Sequence, residues 1–497
     1  MLEHKQNNLG TGFIFMESQL KSKHINKIFI ALLYSFFLVN FNILPYSIIS
    51  SYAKTNLDDG FIPHFYSAKG KELIVEFSSE YVSYYSTLDS IISLDDEHKK
   101  SLIEYSFKPL FKYLFGPLTY RDIGGVKAML DFQVDWNNAF VNKNNRVVLP
   151  YHYKGLWLIA NEYADNNITL SIPIPRNEEI LFTKNWKNCT DRDPDHQTES
   201  FYWYFWDPTR IGCDHKIGEH FDNREIVLKE KTSQTIKTYP EYSRLFNLNP
   251  EGKRVMKMTF AFGYINELEF PKPDSDNDLG VVQYRDFLNE LKTLKAPFKF
   301  IKSESIKLKE YSSNSPLNEL TIGKKFYFQK AEDLLEIKVI TNAGIDQIDI
   351  FAKSFAHDHD NYFAWMGHSR VGSGFDAKRF ESMLQNRPEY YTLTSNYQLI
   401  YWGGCNSYSY YVDPFFKLKA TLDPSNDPKG TRNLDIIANA LPSFFILNAK
   451  NAITQLKALL DYEHPTSYQE IIQNMERHAD NLGTKVLATV IGDEDNK

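Results

Sequence analysis

The sequence predicts an α/β protein with a mostly parallel, helix-flanked sheet in its C-terminal half, preceded by a β-rich N-terminal domain. Three observations carry this reading. From Lys54 to about Phe246, short apolar runs are separated by turn residues, which is strand patterning. At Asn249-Pro250-Glu251-Gly252 the character changes. From Val255 onward, apolar runs alternate with amphipathic helical stretches, as they do where helices cover both faces of a parallel sheet. The 497 residues exceed one small module, and the expected divisions are a leader over 1–53, a β-rich domain over 54–248 and an α/β domain over 249–497.

In the first domain, Asp95 to Leu114 has acidic residues at its start and apolar residues three to four apart, so a helix bent at Pro109 is expected. Ala128–Val134, Arg146–Tyr151, Gly155–Ile159 and Ile168–Ile174 read as strands, with Asn142-Lys143-Asn144-Asn145 as a turn. Phe201 to Trp206 (FYWYFW) reads as a buried strand in preference to a carbohydrate or peptide platform. In the second domain, strands are expected at Val255–Tyr264, Phe298–Ile301, Lys325–Gln329, Glu336–Thr341, Tyr362–Met366 and Tyr397–Trp402. Helices are expected at Gln283–Leu294, Ile345–Phe355, Ala377–Gln385, Leu434–Ala440 and Ala449–Tyr462.

Composition excludes several classes. The 56 Lys and Arg against 63 Asp and Glu give a net charge of −7 with no long basic run, so nucleic acid is not an expected partner. The 36 Phe, 31 Tyr and 7 Trp are enough for a large core. Near the N-terminus, Lys21, Lys23 and Lys27 precede the apolar run Ile28–Val39, and Ser51-Tyr52-Ala53 offers small residues for cleavage after Ala53. That outline is an export signal, with Met16 an alternative start, and it implies a secreted or periplasmic location. The alternative is an uncleaved anchor, in which case this segment alone meets the membrane; Asn40, Asn42 and Pro45 make it a poor span.

An exported chain with three cysteines has at least one outside any intramolecular disulfide. Cys189 and Cys213 flank one aromatic segment and are expected to pair, closing a loop of about 25 residues and contributing about 3 kcal/mol. Cys405 is then the free thiol. A zinc site with His196, His215 and His220 is the rival, but the spacing fits no compact zinc pattern and export favours oxidation, so no metal or other cofactor is expected.

Two expected strands end in candidate chemistry. Tyr362–Met366 opens into Gly367-His368-Ser369, and Tyr397–Trp402 into Gly403-Gly404-Cys405-Asn406. One crossover helix fits between them, so His368 and Cys405 can stand side by side at the carboxyl end of a sheet, where open α/β folds bind ligands. An imidazole beside a thiol can generate thiolate, and flanking glycines let backbone amides approach an oxyanion.

An apolar strand ending in His, followed by a second ending in Gly-Cys, resembles the caspase, legumain and gingipain group of cysteine peptidases over Val255 to about Tyr462. The resemblance implies a caspase-like fold and a protein or peptide substrate. It makes Cys405 the nucleophile and His368 the general acid/base, with backbone amides near Ser369, Gly404 and Cys405 holding the oxyanion. Ser369 stands where members have Gly after the His, and the residues around Cys405 differ from those of caspases, so a preference for Asp does not carry over.

Three alternatives use the same residues differently. Gly367-His368-Ser369 begins a lipase-type nucleophile elbow with Ser369 as a serine nucleophile, but Val371 occupies the place of its second Gly. His357-Asp358-His359-Asp360 offers metal ligands, or simply a polar loop, which is the preferred reading. A non-catalytic exported binding protein with a caspase-like fold keeps the architecture without the chemistry.

Overall fold

A computed structural model describes residues 64–493 apart from 166–168, 192–196, 200–201, 231–233, 266–276, 294–296, 313–314, 344 and 370–376. The leader, Ala53, His196 and Val371 lie outside the described residues, as do Ile168 and Phe201, with which two expected strands begin. Among the described residues, no helix is long and apolar enough to cross a membrane.

The chain opens with Phe65–Ser67 (β1), Gly70–Val82 (β2), Gly124–Val134 (β3), Phe140–Val141 (β4), Val147–Ala160 (β5), Leu170–Pro175 (β6), Phe221–Ile226 (β7) and Lys229–Glu230 (β8). An antiparallel sheet forms in the order β3-β5-β2-β8, with β4 also on β5, while β6 and β7 make a separate ribbon. There follow Asn247–Leu248 (β9), Arg254–Phe262 (β10), Lys299–Lys307 (β11), Thr321–Lys330 (β12), Asp333–Thr341 (β13), Tyr362–Met366 (β14), Gln398–Trp402 (β15), Leu434–Asn439 (β16) and Ala488–Ile491 (β17). The larger sheet has ten strands in the order β1-β17-β16-β15-β14-β10-β13-β12-β11, with β9 on β10. Its centre, from β16 to β13, is parallel. Its margins are antiparallel.

β14 is apolar from end to end, and β15 after its first residue, because helices cover both of their faces. Phe363 and Trp365 of β14, with Ile400 and Trp402 of β15, face a core that includes Phe351, Phe355, Phe380 and Phe415 of the helices Gln347–Ala356, Ala377–Asn386 and Asp413–Ala420. Tyr362, Ala364, Met366, Leu399 and Tyr401 point the other way, toward the helices Leu279–Thr293, Asn448–Leu460 and Tyr468–Asp480. The last of these begins with a capping box in which Ser467 and Glu470 each accept the other's backbone N–H.

The expected helix at Asp95–Leu114 forms, with Asp95 accepting from the His98 N–H at its start. Its winding passes through a wide turn at Ile103–Phe107 and tightens to a 3-10 helix over Lys108–Leu114, where Pro109 sits at the start of the tighter turn. Two expected elements have the other type. Leu434–Ala440 is not a helix: Leu434–Asn439 (LDIIAN) is strand β16, buried along its whole length with Asp435 and Asn439 included, and so short a run carries no period that separates the two. The aromatic segment is not a strand either, since Tyr202–Phe205 is a single helical turn. That turn spreads its rings in two directions: Tyr202 and Trp206 pack with Tyr113 and Cys189, while Trp203 and Tyr204 reach Phe115.

The smaller sheet meets the loop after β15 through a buried ion pair. Lys127 Nζ lies 3.1 Å from Glu72 Oε1, with the two side chains 2% and 0% exposed. The Tyr408 hydroxyl donates to the same carboxylate oxygen, and Lys127 stands over the Tyr408 ring. Gly125 has no side chain where a Cβ would come within 2.7 Å of the Ala440 carbonyl oxygen. Removing one member of a buried pair strands the other charge. Lys127→Met should therefore cost about 3–5 kcal/mol, and adding Glu72→Leu should recover most of that loss. Urea denaturation checks both values; a single-variant cost below about 1 kcal/mol, in the range of an exposed pair, would contradict the clamp.

Candidate functional site

Three parallel strands of the larger sheet end in glycine on one edge. Gly263 follows β10, Gly367 follows β14, and Gly403-Gly404 follow β15. The Gly263 N–H donates to Met366 O at 2.9 Å and the Gly403 N–H to Trp365 O at 2.7 Å, extending the ladder past the strands. The side-chain-free positions are needed because backbone meets backbone there. A Cβ on Gly367 would lie 2.9 Å from the Gly263 Cα and 2.7 Å from the Trp365 ring; one on Gly404 would lie 3.0 Å from the Ser369 Cβ. β14 and β15 are neighbours with Trp365 opposite Trp402, so His368 and Cys405 leave the sheet at the same end.

Their side chains nevertheless do not form a catalytic pair. Two of the three cysteines are spent: Cys189 and Cys213 are bonded to each other, so neither is a nucleophile. The remaining thiol, Cys405, donates to the Ser443 carbonyl at 3.6 Å, and His368 makes no hydrogen bond to it. His368 instead donates from Nε2 to Ile265 O at 2.9 Å and packs its ring edge-on against Phe445. Although Cys405 keeps some accessible surface, burial of its surroundings pushes the thiol above its ordinary range. A nucleophilic cysteine needs the opposite shift. The expected cysteine peptidase, with His368 and Cys405 as a dyad and amides at Ser369, Gly404 and Cys405 as an oxyanion hole, is therefore corrected. The strand ends are placed for such a site, but the thiol at its centre is held neutral.

The turn after β15 explains this setting. Asn406 adopts a left-handed conformation with φ of 52°, which an Asn tolerates better than most side chains. Its N–H donates to Leu441 O, its amide donates to Thr119 Oγ1 at 3.1 Å, and its Oδ1 accepts from the Tyr204 hydroxyl at 3.0 Å. Ser407 Oγ donates back to Trp402 O at 2.7 Å. Cys405 is thus fixed by groups that bring no positive charge to it. Ser369 is buried, and its carbonyl accepts from the Tyr411 hydroxyl. Among the described residues, no imidazole or carboxylate hydrogen-bonds the Ser369 hydroxyl.

The other candidate ligands are accounted for by structure. Asp358 and Asp360 lie 2.6 and 2.9 Å from Lys338 Nζ, and Asp360 also accepts from Thr259 and Ser354. His359 donates to Thr392 O at 3.1 Å. The His357–Asp360 loop is the structural loop preferred above, and it lies at the opposite end of β14 from His368. His215 is close to the disulfide: a ring nitrogen and the two sulfurs lie within 4.8 Å of one another. Burial pushes its pKa down to about 4. His220 stacks on it with ring centroids 5.0 Å apart.

Sequence reasoning passed over Gly263, although Phe260-Ala-Phe-Gly-Tyr264 has the same strand-into-glycine signature as the two ends it selected. It also passed over Phe444-Phe445-Ile446, which follow β16 and carry no periodic signal. Comparison with protein-family models, curated proteins and solved structures finds no match. A raised thiol pKa means that thiolate accumulates only at higher pH. Iodoacetamide labelling of Cys405 should therefore rise only above the ordinary thiol range near pH ~8.5, with the same profile in His368→Ala. Fast labelling near pH 6 that disappears in His368→Ala would overturn the assignment.

Proposed function

We propose that the chain is an exported, non-catalytic binding protein built on a caspase-like sheet, and that it holds a protein or peptide segment at the carboxyl ends of β10, β14 and β15. The observation that carries this reading is the glycine floor at that edge combined with an unactivated thiol. Ligands of open α/β sheets bind at the carboxyl ends of the strands, and the glycines let three strand ends close up there into one continuous backbone surface. The rim is apolar: Ile265, Phe444 and Ile446 are 42%, 39% and 45% exposed. Large exposed apolar side chains grouped at one end of the sheet suit a partner's apolar side chains.

The adjacent His and Gly-Cys strand ends, joined through one helix, support the likeness to the caspase, legumain and gingipain architecture. The basic and apolar leader pattern supports export. The test is selection of binders from a displayed peptide library, followed by affinity measurements on Phe444→Asp and Ile446→Asp. Both substitutions place a charge on the exposed rim and should weaken binding at least about tenfold, because each desolvates a carboxylate against apolar contacts. Unchanged affinity in both would place the binding surface elsewhere.

A further inference from the structure

We propose that Cys189, Cys213 and His215 form a redox-gated site for a thiophilic divalent cation of the zinc type. In an oxidising medium the two sulfurs are joined. A dithiol reductant opens the bond, yielding two cysteine thiols and the reductant's own cyclic disulfide. Binding of the cation then releases two thiol protons to solvent and leaves two thiolates and one neutral imidazole on the metal.

The geometry supports each part. The three donor atoms already lie within 4.8 Å of one another. Around a tetrahedral zinc, sulfur and nitrogen donors stand roughly 3.3–3.8 Å apart, so once the disulfide opens the two sulfurs must separate to make room for the cation between them and the imidazole. The cysteines do not depend on their bond to stay close. The Asp207 N–H donates to Cys189 O at 2.8 Å and the Cys213 N–H to Arg210 O at 3.1 Å. The Asn188 amide donates to Gly212 O at 3.1 Å, and Thr183 Oγ1 to Asp214 Oδ1 at 2.6 Å. The donors therefore remain clasped when the disulfide opens.

His215 carries the supporting bond typical of a metal-bound imidazole. Its Nε2 donates to Leu181 O at 2.8 Å, which leaves Nδ1 as the nitrogen with the lone pair. The indole N–H of Trp206 now donates to that Nδ1 at 3.1 Å and must give way to the cation. Cys189 and His215 are both buried, so the site is enclosed, and its three protein donors leave a fourth position for water. The same segment is thus fastened by a covalent bond outside the cell and by a metal where thiols stay reduced.

The full chain, carrying Cys405→Ser to remove the third thiol, is reduced with a thiol-free phosphine and titrated with Co²⁺ as the spectroscopic probe. One Co²⁺ per chain with a thiolate-to-cobalt charge-transfer band is expected, with no band from the oxidised protein. His215→Ala should weaken binding at least about tenfold, and Cys189→Ser should remove the band. Reduced protein that shows no band overturns the proposal, as does a band that survives the double substitution Cys189→Ser, Cys213→Ser. Because a cysteine variant can misfold, a second readout uses the Cys405→Ser chain with both other cysteines intact. Zn²⁺ should raise the melting temperature of its reduced form and leave its oxidised form unchanged; equal effects on both overturn the proposal.

Discussion

The loop after β15 is held by a charge that water cannot reach. Glu72 and Lys127 come from the smaller sheet, and Tyr408 from the larger sheet's connecting loop completes the pair by donating to the carboxylate. A buried pair of this kind contributes little net stability against an apolar replacement, but it tolerates no misplacement, because either charge left alone is costly. Its effect is positional. With Tyr408 fixed, the left-handed turn at Asn406 is fixed, and with it the direction in which Cys405 leaves the strand.

The same enclosure sets the chemistry of the strand ends. Where this protein buries charge, it pairs it: Lys338 lies between Asp358 and Asp360 and is held charged, well above its ordinary range, by those carboxylates. Where the opposite charge offsets too little, burial wins. Lys419, bonded to the carbonyl oxygens of Thr394 and Asn396, is pushed down to about 7. The Cys405 thiol is pushed up for the same reason. A dyad needs its base to contact its nucleophile, and here the imidazole is tied to Ile265 O while the thiol is tied to Ser443 O. The glycine-ended strands therefore bring His368 and Cys405 to one end of the sheet without pairing them.

Much of this was legible in the residues. Uninterrupted apolar runs such as Tyr362–Met366 mark strands buried on both faces, and strand β14 has those bounds. The pairing of Cys189 with Cys213 followed from their flanking of one segment, and the disulfide is present. What periodicity could not resolve were elements without a period. Leu434–Asn439 is six residues long, with Asp435 and Asn439 breaking no clear alternation, and reads equally as helix or strand, while Tyr202–Phe205 is aromatic on every side because it packs in two directions. The state of the site was illegible for a different reason. The residues that decide it, Ser443, Ile265, Thr119 and Tyr204, come from four separate stretches of chain, and their carbonyls and hydroxyls leave no local pattern.

The strand-end edge is proposed to bind peptides without cleaving them. A defined pool of peptides spanning varied sequences, incubated with the wild-type chain and with Cys405→Ser and followed by mass spectrometry, tests it most directly. Both pools should remain intact, and both proteins should retain the same peptides with equal affinity. Cleavage products made by the wild type and absent with Cys405→Ser would contradict it.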